Sequence, residues 1–194
     1  MATSNAYSNQ IENRNDLYPN RFKFTINRAP KVSFSCNTAN IPSMTLGNAV
    51  QPTSLGKNIP LPGNKISYED FNLRFIVDES LENYMQIYNW IKGLAYPESL
   101  QQIFDLQTSN EKIDHKIQSQ LNLYSDGTLQ ILTSHQRPNF QVKFYDLYPY
   151  DLTTLLFDAT ETNPSPFTAE AKFKYTYYEI TDTRGNKLYD YKSN

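Results

Sequence analysis

Apolar and polar residues alternate where Phe22, Phe24 and Ile26 are set against Arg21, Lys23, Thr25 and Asn27. A period of two sends successive side chains to opposite faces, which predicts a half-buried strand. After the short connection Arg28-Ala29-Pro30 the period returns, with Val32, Phe34 and Cys36 inward and Lys31, Ser33, Ser35 and Asn37 outward. The two runs predict an N-terminal hairpin with Cys36 at a core position. A further strand is predicted from Phe71, Leu73, Phe75 and Val77, whose opposite face, Asn72, Arg74 and Ile76, is mixed. Leu121 and Leu123, the dipeptide Asp126-Gly127, then Leu129 and Ile131 predict a second hairpin, because Asp-Gly tolerates the positive φ of tight turns. Phe140, Val142 and Phe144 alternate in a strand ending at Asp146-Leu-Tyr-Pro-Tyr150. The last long strand carries Phe167, Ala169, Ala171, Phe173, Tyr175 and Tyr177 on one face.

One helix is predicted, over Leu81 to Ile91. Leu81, Tyr84, Met85, Tyr88 and Ile91 recur at helical spacing, Asp78 or Ser80 can cap its start, and Gly93 follows its end. Its packing candidates are Leu81, Tyr84, Met85, Tyr88, Trp90 and Ile91, with Ile87 and Leu94 widening the stripe. A helix apolar over so much of its circumference is deeply buried or shared with a neighbour.

Three stretches break the pattern. Residues 1–16 are polar and rich in Asn and Ser and read as an N-terminal arm. Residues 96–120 read as an excursion of loops with a short helix near Leu100–Phe104, and 181–194 as a polar C-terminal tail. Between Ile41 and Asn64, Pro42, Pro52, Pro60 and Pro62 punctuate the chain, yet Leu55, Ile59 and Leu61 are apolar. Prolines keep such a segment out of a central strand, and those side chains want a partner surface. Thr45 to Asn64 is therefore predicted to be an extended arm or a β-hairpin that gains pairing from another molecule.

Composition agrees with a mostly-β domain. Fifteen Tyr and eleven Phe against six Gly favour strands, while 39% apolar and 20% charged residues in 194 suffice for one sizeable core. Net charge is −2 with no run of Lys or Arg, which argues against gripping phosphate. Nothing approaches the roughly 18 consecutive apolar residues of a membrane span. The single cysteine and the polar Met1–Tyr18 segment lead to the expectation of folding in a reducing cytoplasm.

Candidate chemistry is sparse. His115 and His135 lie in separate polar stretches, so no nucleophile has an obvious base, and no catalytic activity is expected. Glu111, Asp114 and His115 could share a helix face as metal ligands, but a solvated charged turn explains them better. Gly56-Lys57 lacks both the following Ser/Thr and the first glycine of a phosphate loop. Cys36, in an apolar row, reads as a small buried hydrophobe. No cofactor or metal is called for.

The order of these pieces resembles the tail tube proteins of contractile-tailed bacteriophages. The resemblance rests on Tyr18-Pro-Asn-Arg-Phe-Lys-Phe-Thr-Ile26, Phe34-Ser-Cys36 with Ala39-Asn-Ile-Pro42, and Leu61-Pro-Gly-Asn-Lys65 leading into Tyr68-Glu-Asp-Phe71. Phe75-Ile-Val-Asp-Glu79, Tyr88-Asn-Trp90 and Leu147-Tyr-Pro149 continue it, so that it covers residues 17–95 and 138–180. It implies a two-sheet sandwich or barrel-like domain over 17–180 with a flanking helix, sheets joining between subunits in hexameric rings that stack into a conduit for DNA ejection. It further implies self-association, contact with a surrounding tail sheath, a baseplate and a tail terminator, and a place in the virion tail after assembly in the host cytoplasm. Within that frame Leu55, Lys57, Asn58, Ile59 and Leu61 are the inter-ring contact candidates. Six copies would carry about −12 per ring, a like-charged wall along which DNA slides without tight binding. A baseplate tube initiator or the tube subunit of a related contractile-injection machine would share these motifs, and a carbohydrate-binding β-sandwich would share the tyrosine content.

Overall fold

The computed structural model describes residues 16–54, 56–95, 99–102, 105, 123–160 and 165–187. The N-terminal arm up to residue 15, Leu55, most of the 96–120 excursion with Glu111, Asp114 and His115, Leu121, and the tail from residue 188 lie outside the described residues. Helical backbone occurs at Gln101, Gln102 and Asp105, near the short helix expected there.

The elements in chain order are β1 (Phe22–Ile26), α1 (Pro30–Ser35), β2 (Cys36–Ala39), β3 (Met44–Gln51), β4 (Ile59–Tyr68), β5 (Phe71–Ile76), α2 (Glu82–Ala95), β6 (Ser125–Leu132), β7 (Pro138–Leu152), β8 (Thr168–Lys174) and β9 (Tyr177–Asp182). β1, β6, β7 and β9 pair in that order as one sheet. β2, β5, β8 and the C-terminal part of β7 make the other. The fold is thus mostly β, with two sheets sharing one long strand and a flanking helix.

β7 serves both sheets because it bends. Ser125 pairs with Leu147 and Gly127 with Phe144, so Tyr145 and Asp146 together oppose Asp126. Asp146 takes φ 56°, a left-handed conformation that Asp tolerates better than most residues. Such a bulge bends a strand and re-aims it, here from β9 (Phe140–Tyr145) to β8 (Tyr148–Leu152).

The expected long final strand is divided at the same corner. β8 and β9 are separated by Tyr175 and Thr176, and Thr176 N donates to Tyr145 O at 3.0 Å. A continuous apolar row along both halves does not reveal that the chain changes sheets midway.

The core lies between the sheets. Phe71 stacks at its centre against Phe24 (5.1 Å between ring centroids), Phe144 (4.5 Å) and Phe173 (5.9 Å). α2 closes one side through Trp90, 6.3 Å from Phe173, whose Nε1 donates to Leu123 O at 3.0 Å. Arg28 lies over the same indole at 5.2 Å, and burial lowers its guanidinium to about 10. Asn83 is fully buried. Its Nδ2 donates to Ile76 O (2.7 Å) and Ser35 Oγ (2.9 Å), and its Oδ1 accepts from Asp78 N (3.2 Å). Satisfying a buried amide in this way fixes the start of α2 on the end of β5.

Three sequence expectations are corrected. Val32, Phe34 and Cys36 do not form a strand hairpinned to β1: residues 30–35 are helical, β1 pairs with β6, and β2 pairs with β5. Pro30 sits in the first turn, where its fixed φ suits a helix, and Ser33 Oγ accepts from Ile26 N at 2.9 Å. Val32 and Cys36 are also i and i+4, so helical geometry keeps both near the core while turning Phe34 outward, 96% exposed.

Asp126-Gly127 is likewise not a turn but lies inside β6. A Cβ on Gly127 would stand 3.2 Å from Leu147 Cδ2 and 3.3 Å from Phe24 Cζ, so this glycine serves close packing. The turn between β6 and β7 is at Thr133–Arg137, closed by Thr133 N to Arg137 O at 2.7 Å.

The helix runs over Glu82–Ala95 rather than Leu81–Ile91, and its buried residues are Asn83, Ile87, Trp90 and Gly93. Of the packing candidates, Trp90 is buried and Tyr84 and Ile91 pack partly against the core, whereas Leu81, Met85 and Tyr88 are exposed. With apolar residues on both faces, spacing alone chose the wrong one as the centre of the packing stripe.

Cys36 is half-buried against the core, with its thiol 3.7 Å from Thr38 O. Burial pushes the thiol up to about 11, so little thiolate exists at neutral pH. Alkylation by iodoacetamide at pH 7.5 is expected to be negligible on the folded protein and complete in denaturant, as read by intact mass.

Candidate assembly interface

β3 and β4 form a two-stranded sheet of their own. The segment inserts between β2 and β5, which pair with each other in the main domain, so the hairpin prolongs that ribbon beyond the two sheets. Every residue of β3 is exposed, and in β4 only Gly63 and Tyr68 are partly covered.

What the hairpin exposes is apolar. Toward its tip Val50 pairs with Pro60 and Ala49 with Leu61. Adjacent rungs point to opposite faces, so both faces carry greasy side chains. Nearer the root Met44 pairs with Tyr68 and Leu46 with Ile66. Val50 is 54% exposed, Leu61 43% and Leu46 52%. An isolated hairpin of this kind is marginal in water, and contiguous apolar surface marks an interaction site.

The prolines fit this geometry. Pro60 and Pro62 are two apart in β4, so both lie in the same phase of the ladder, and Ile59 and Leu61 occupy the alternate rungs against Gln51 and Ala49. Two glycines let the strands meet at the bend. Between Leu46 and Asn48 the register jumps from Ile66 to Pro62, and a Cβ on Gly63 would come within 2.5 Å of Gly47 O. Gly63→Ala must therefore open the ladder at mid-hairpin. The expected outcome is an unchanged melting temperature for the main domain with faster hydrogen exchange at residues 46–49 and 61–66, measured by mass spectrometry.

At the tip, Gly56 takes φ 72° and Thr53 Oγ1 donates to Lys57 O. Of the sequence candidates, Ile59 and Leu61 are exposed on β4 and Lys57 and Asn58 in the preceding loop, while Leu55 is outside the described residues. The structure adds Met44, Leu46, Val50 and Ile66. Their alternation with Thr45, Gly47, Ala49 and Ser67 was a readable strand signal.

The root of the hairpin is held from the corner between β8 and β9. Tyr68 lies against the rings of Tyr178 (5.5 Å) and Tyr175 (5.9 Å), and both of these touch core residue Phe144. Tyr175 Oη donates to Glu69 O at 2.8 Å, Tyr178 Oη to Pro42 O at 3.3 Å, and Glu69 N to Ser43 O at 3.1 Å. Next to this cluster Lys174 and Tyr150 both contact the Asp70 carboxylate, Lys174 first, and hold it below the ordinary carboxylate value of 3.8. These groups are partly exposed, so screening keeps their contribution small.

A second apolar surface is the outer face of α2, with Leu81, Met85 and Tyr88. Among the described residues there is no group of three or more His, Cys, Asp or Glu side chains that could hold a metal ion, and no helix is long and apolar enough to cross a membrane.

A family model described as phage tail tube protein matches residues 2–181. The chain belongs to this family. Tail tube proteins are structural components, and the fold agrees with that of solved contractile-injection assemblies. One neighbour is from the anti-feeding prophage baseplate: TM-score 0.58 at 13% identity, over 87% of this chain and 97% of that one. Another, from the anti-feeding prophage tube-terminating cap, has a TM-score of 0.57 at 13% identity over 94% and 100%. A third, from the sheath–tube complex of an extracellular contractile injection system in its extended state, has a TM-score of 0.53 at 15% identity over 87% and 93%. At such identities the likeness concerns the fold. No curated protein matches the chain in sequence.

Proposed function

We propose that this tail tube protein is the repeating subunit of a contractile phage tail: six copies close into a ring, rings stack, and the channel conducts DNA into the host. The observation that carries this reading is the β3–β4 hairpin, which displays apolar residues on both faces near its tip and, among the described residues, meets no matching row in its own domain. On stacking, Ile59, Leu61 and their neighbours enter the next ring, with Lys57 and Asn58 beside them; Leu55 is the further contact candidate from the sequence. The sheets' outer strands, β2 in one and β1 and β9 in the other, are edges that neighbouring copies in a ring cover.

Family membership supports a tube role, and the six-fold symmetrised anti-feeding prophage baseplate supports the ring number. In this reading a sheath surrounds the tube, a baseplate and a terminator meet its ends, assembly takes place in the host cytoplasm, and the product is part of the virion. The subunit has no catalytic role. With a net charge of −2 and no basic run, the channel lets DNA pass without holding it.

Negative-stain microscopy of the purified protein tests the reading: rings of six and tubes of unlimited length are expected, and monomer at every concentration contradicts it. The baseplate and cap neighbours favour one alternative, a tube-initiating or tube-ending subunit, for which single rings that never extend would be seen. Submicromolar, salt-sensitive binding of duplex DNA by the tubes would contradict a passive channel.

A further inference from the structure

The geometry points to Tyr175 and Tyr178 as positioning residues that set the direction in which the β3–β4 hairpin leaves the domain. This rests on the reading of the hairpin as the inter-ring contact.

The hairpin joins the main domain by two legs, residues 40–43 and 69–70, and each leg offers a backbone carbonyl to one tyrosine hydroxyl: Pro42 O to Tyr178 and Glu69 O to Tyr175. The donors are three residues apart on one short stretch, so the legs are tied to a single point. That point is itself fixed. Thr176, between them, donates its N–H to Tyr145 O beside the β7 bulge, and both rings rest on buried Phe144. Tyr68, the last residue of β4, packs its ring against both, and Tyr175 and Tyr178 also meet each other edge-on at 6.2 Å.

The rings make apolar contacts that a phenylalanine would keep, while the hydroxyls reach carbonyls at the hairpin root. Burial pushes the Tyr175 phenol well above its ordinary value, so it remains a protonated donor at any working pH. A hairpin with no core of its own holds its angle through its root. There Asn40, bonded to Asp70 and Asn72, and the Asp70 carboxylate, held by Lys174 and Tyr150, join the two legs to the sheet. The two tyrosine hydroxyls add the ties to the β8–β9 corner. A fixed angle removes ordering cost when six hairpins must engage a neighbouring ring together.

The double variant Tyr175→Phe, Tyr178→Phe, made in the full chain, separates the two roles. Spin labels on Lys57→Cys at the hairpin tip and Thr25→Cys on β1, in a Cys36→Ala background, report the hairpin's direction in the monomer by pulsed dipolar spectroscopy. The expected result is a broadened distance distribution with an unchanged melting temperature, and tubes forming only at about tenfold higher protein concentration. An unchanged distribution overturns the clamp. So does a fall in melting temperature with loss of core amide protection, which would assign the hydroxyls to the fold. A broadened distribution with normal tube formation overturns their role in assembly. Failure of the underlying reading shows differently: tubes would then form normally from a variant whose hairpin tip is charged, while the distance measurement still decides the clamp.

Discussion

Replacing Ile59 and Leu61 together by Asp is expected to leave the monomer folded and to stop tube growth. Both side chains are exposed, on a two-stranded sheet separate from the sheets of the main domain, so in the monomer little buried area is lost. Circular dichroism is expected to be unchanged and melting to shift by no more than a few degrees. In the stacking proposed above the same positions are buried against the next ring. Ile59 is 46% and Leu61 43% exposed in the monomer, so covering what remains contributes about 1–3 kcal/mol per subunit, and a carboxylate carried into that contact without a partner costs more still. With six copies at each junction of the proposed rings, the loss multiplies. Light scattering and microscopy are expected to show rings or monomers and no tubes. If the monomer itself unfolded, the hairpin would belong to the core.

The contrasting substitution is Phe71→Ala. This residue is fully buried and its ring meets Phe24, Phe144 and Phe173, so it bridges β1, β5, β7 and β8 at the centre of the domain. Removing a buried phenylalanine costs about 3–5 kcal/mol, a large part of the roughly 5–15 kcal/mol that holds a domain together. Melting is expected to fall by about 10 °C or more for a chain of this size. Assembly is lost with the fold, so both readouts fail together, whereas the hairpin double variant separates them. A melting temperature within 2–3 °C of the parent would contradict the placement of the core.

The strands that bury one face were legible because burial imposes a period of two. Phe24 and Ile26, Phe71, Leu73 and Phe75, Val142 and Phe144, and Ala169, Ala171 and Phe173 are all buried as their alternation predicts. Pairing was not legible. Nothing local tells β1 that its partner is β6, about a hundred residues away, or that β7 passes between two sheets at Asp146. Short runs were ambiguous for a definite reason: Val32 and Cys36 satisfy a period of two and of nearly four equally well, and only Phe34 distinguishes them. At Asp126-Gly127 a strong turn signal yielded to packing, since Gly127 is small to admit Phe24 and Leu147. In α2, apolar residues on both faces left the packing row undetermined, and Leu81, Met85 and Tyr88 proved to be outside.

The candidate interface was legible as a contradiction between prolines that forbid a central strand and apolar residues that do not belong in water. Ile59 and Leu61 carried that signal, and the hairpin's exposed strands match it. Its β3 half is masked by the flanking Pro42 and Pro52, although Met44, Leu46 and Val50 alternate. The tyrosine clamp was not legible at all: Tyr175 and Tyr178 lie over a hundred residues from the carbonyls they hold, and their sequence context reads only as strand.

The most direct test of the account is a cryo-electron microscopy map of the self-assembled tube at a resolution that traces the backbone. Six subunits per ring are expected, with the β3–β4 hairpin of each leaving its own domain and burying Ile59, Leu61 and Val50 against the adjacent ring. A tube in which the hairpin folds back on its own subunit, or projects into solvent while other surfaces join the rings, would contradict it.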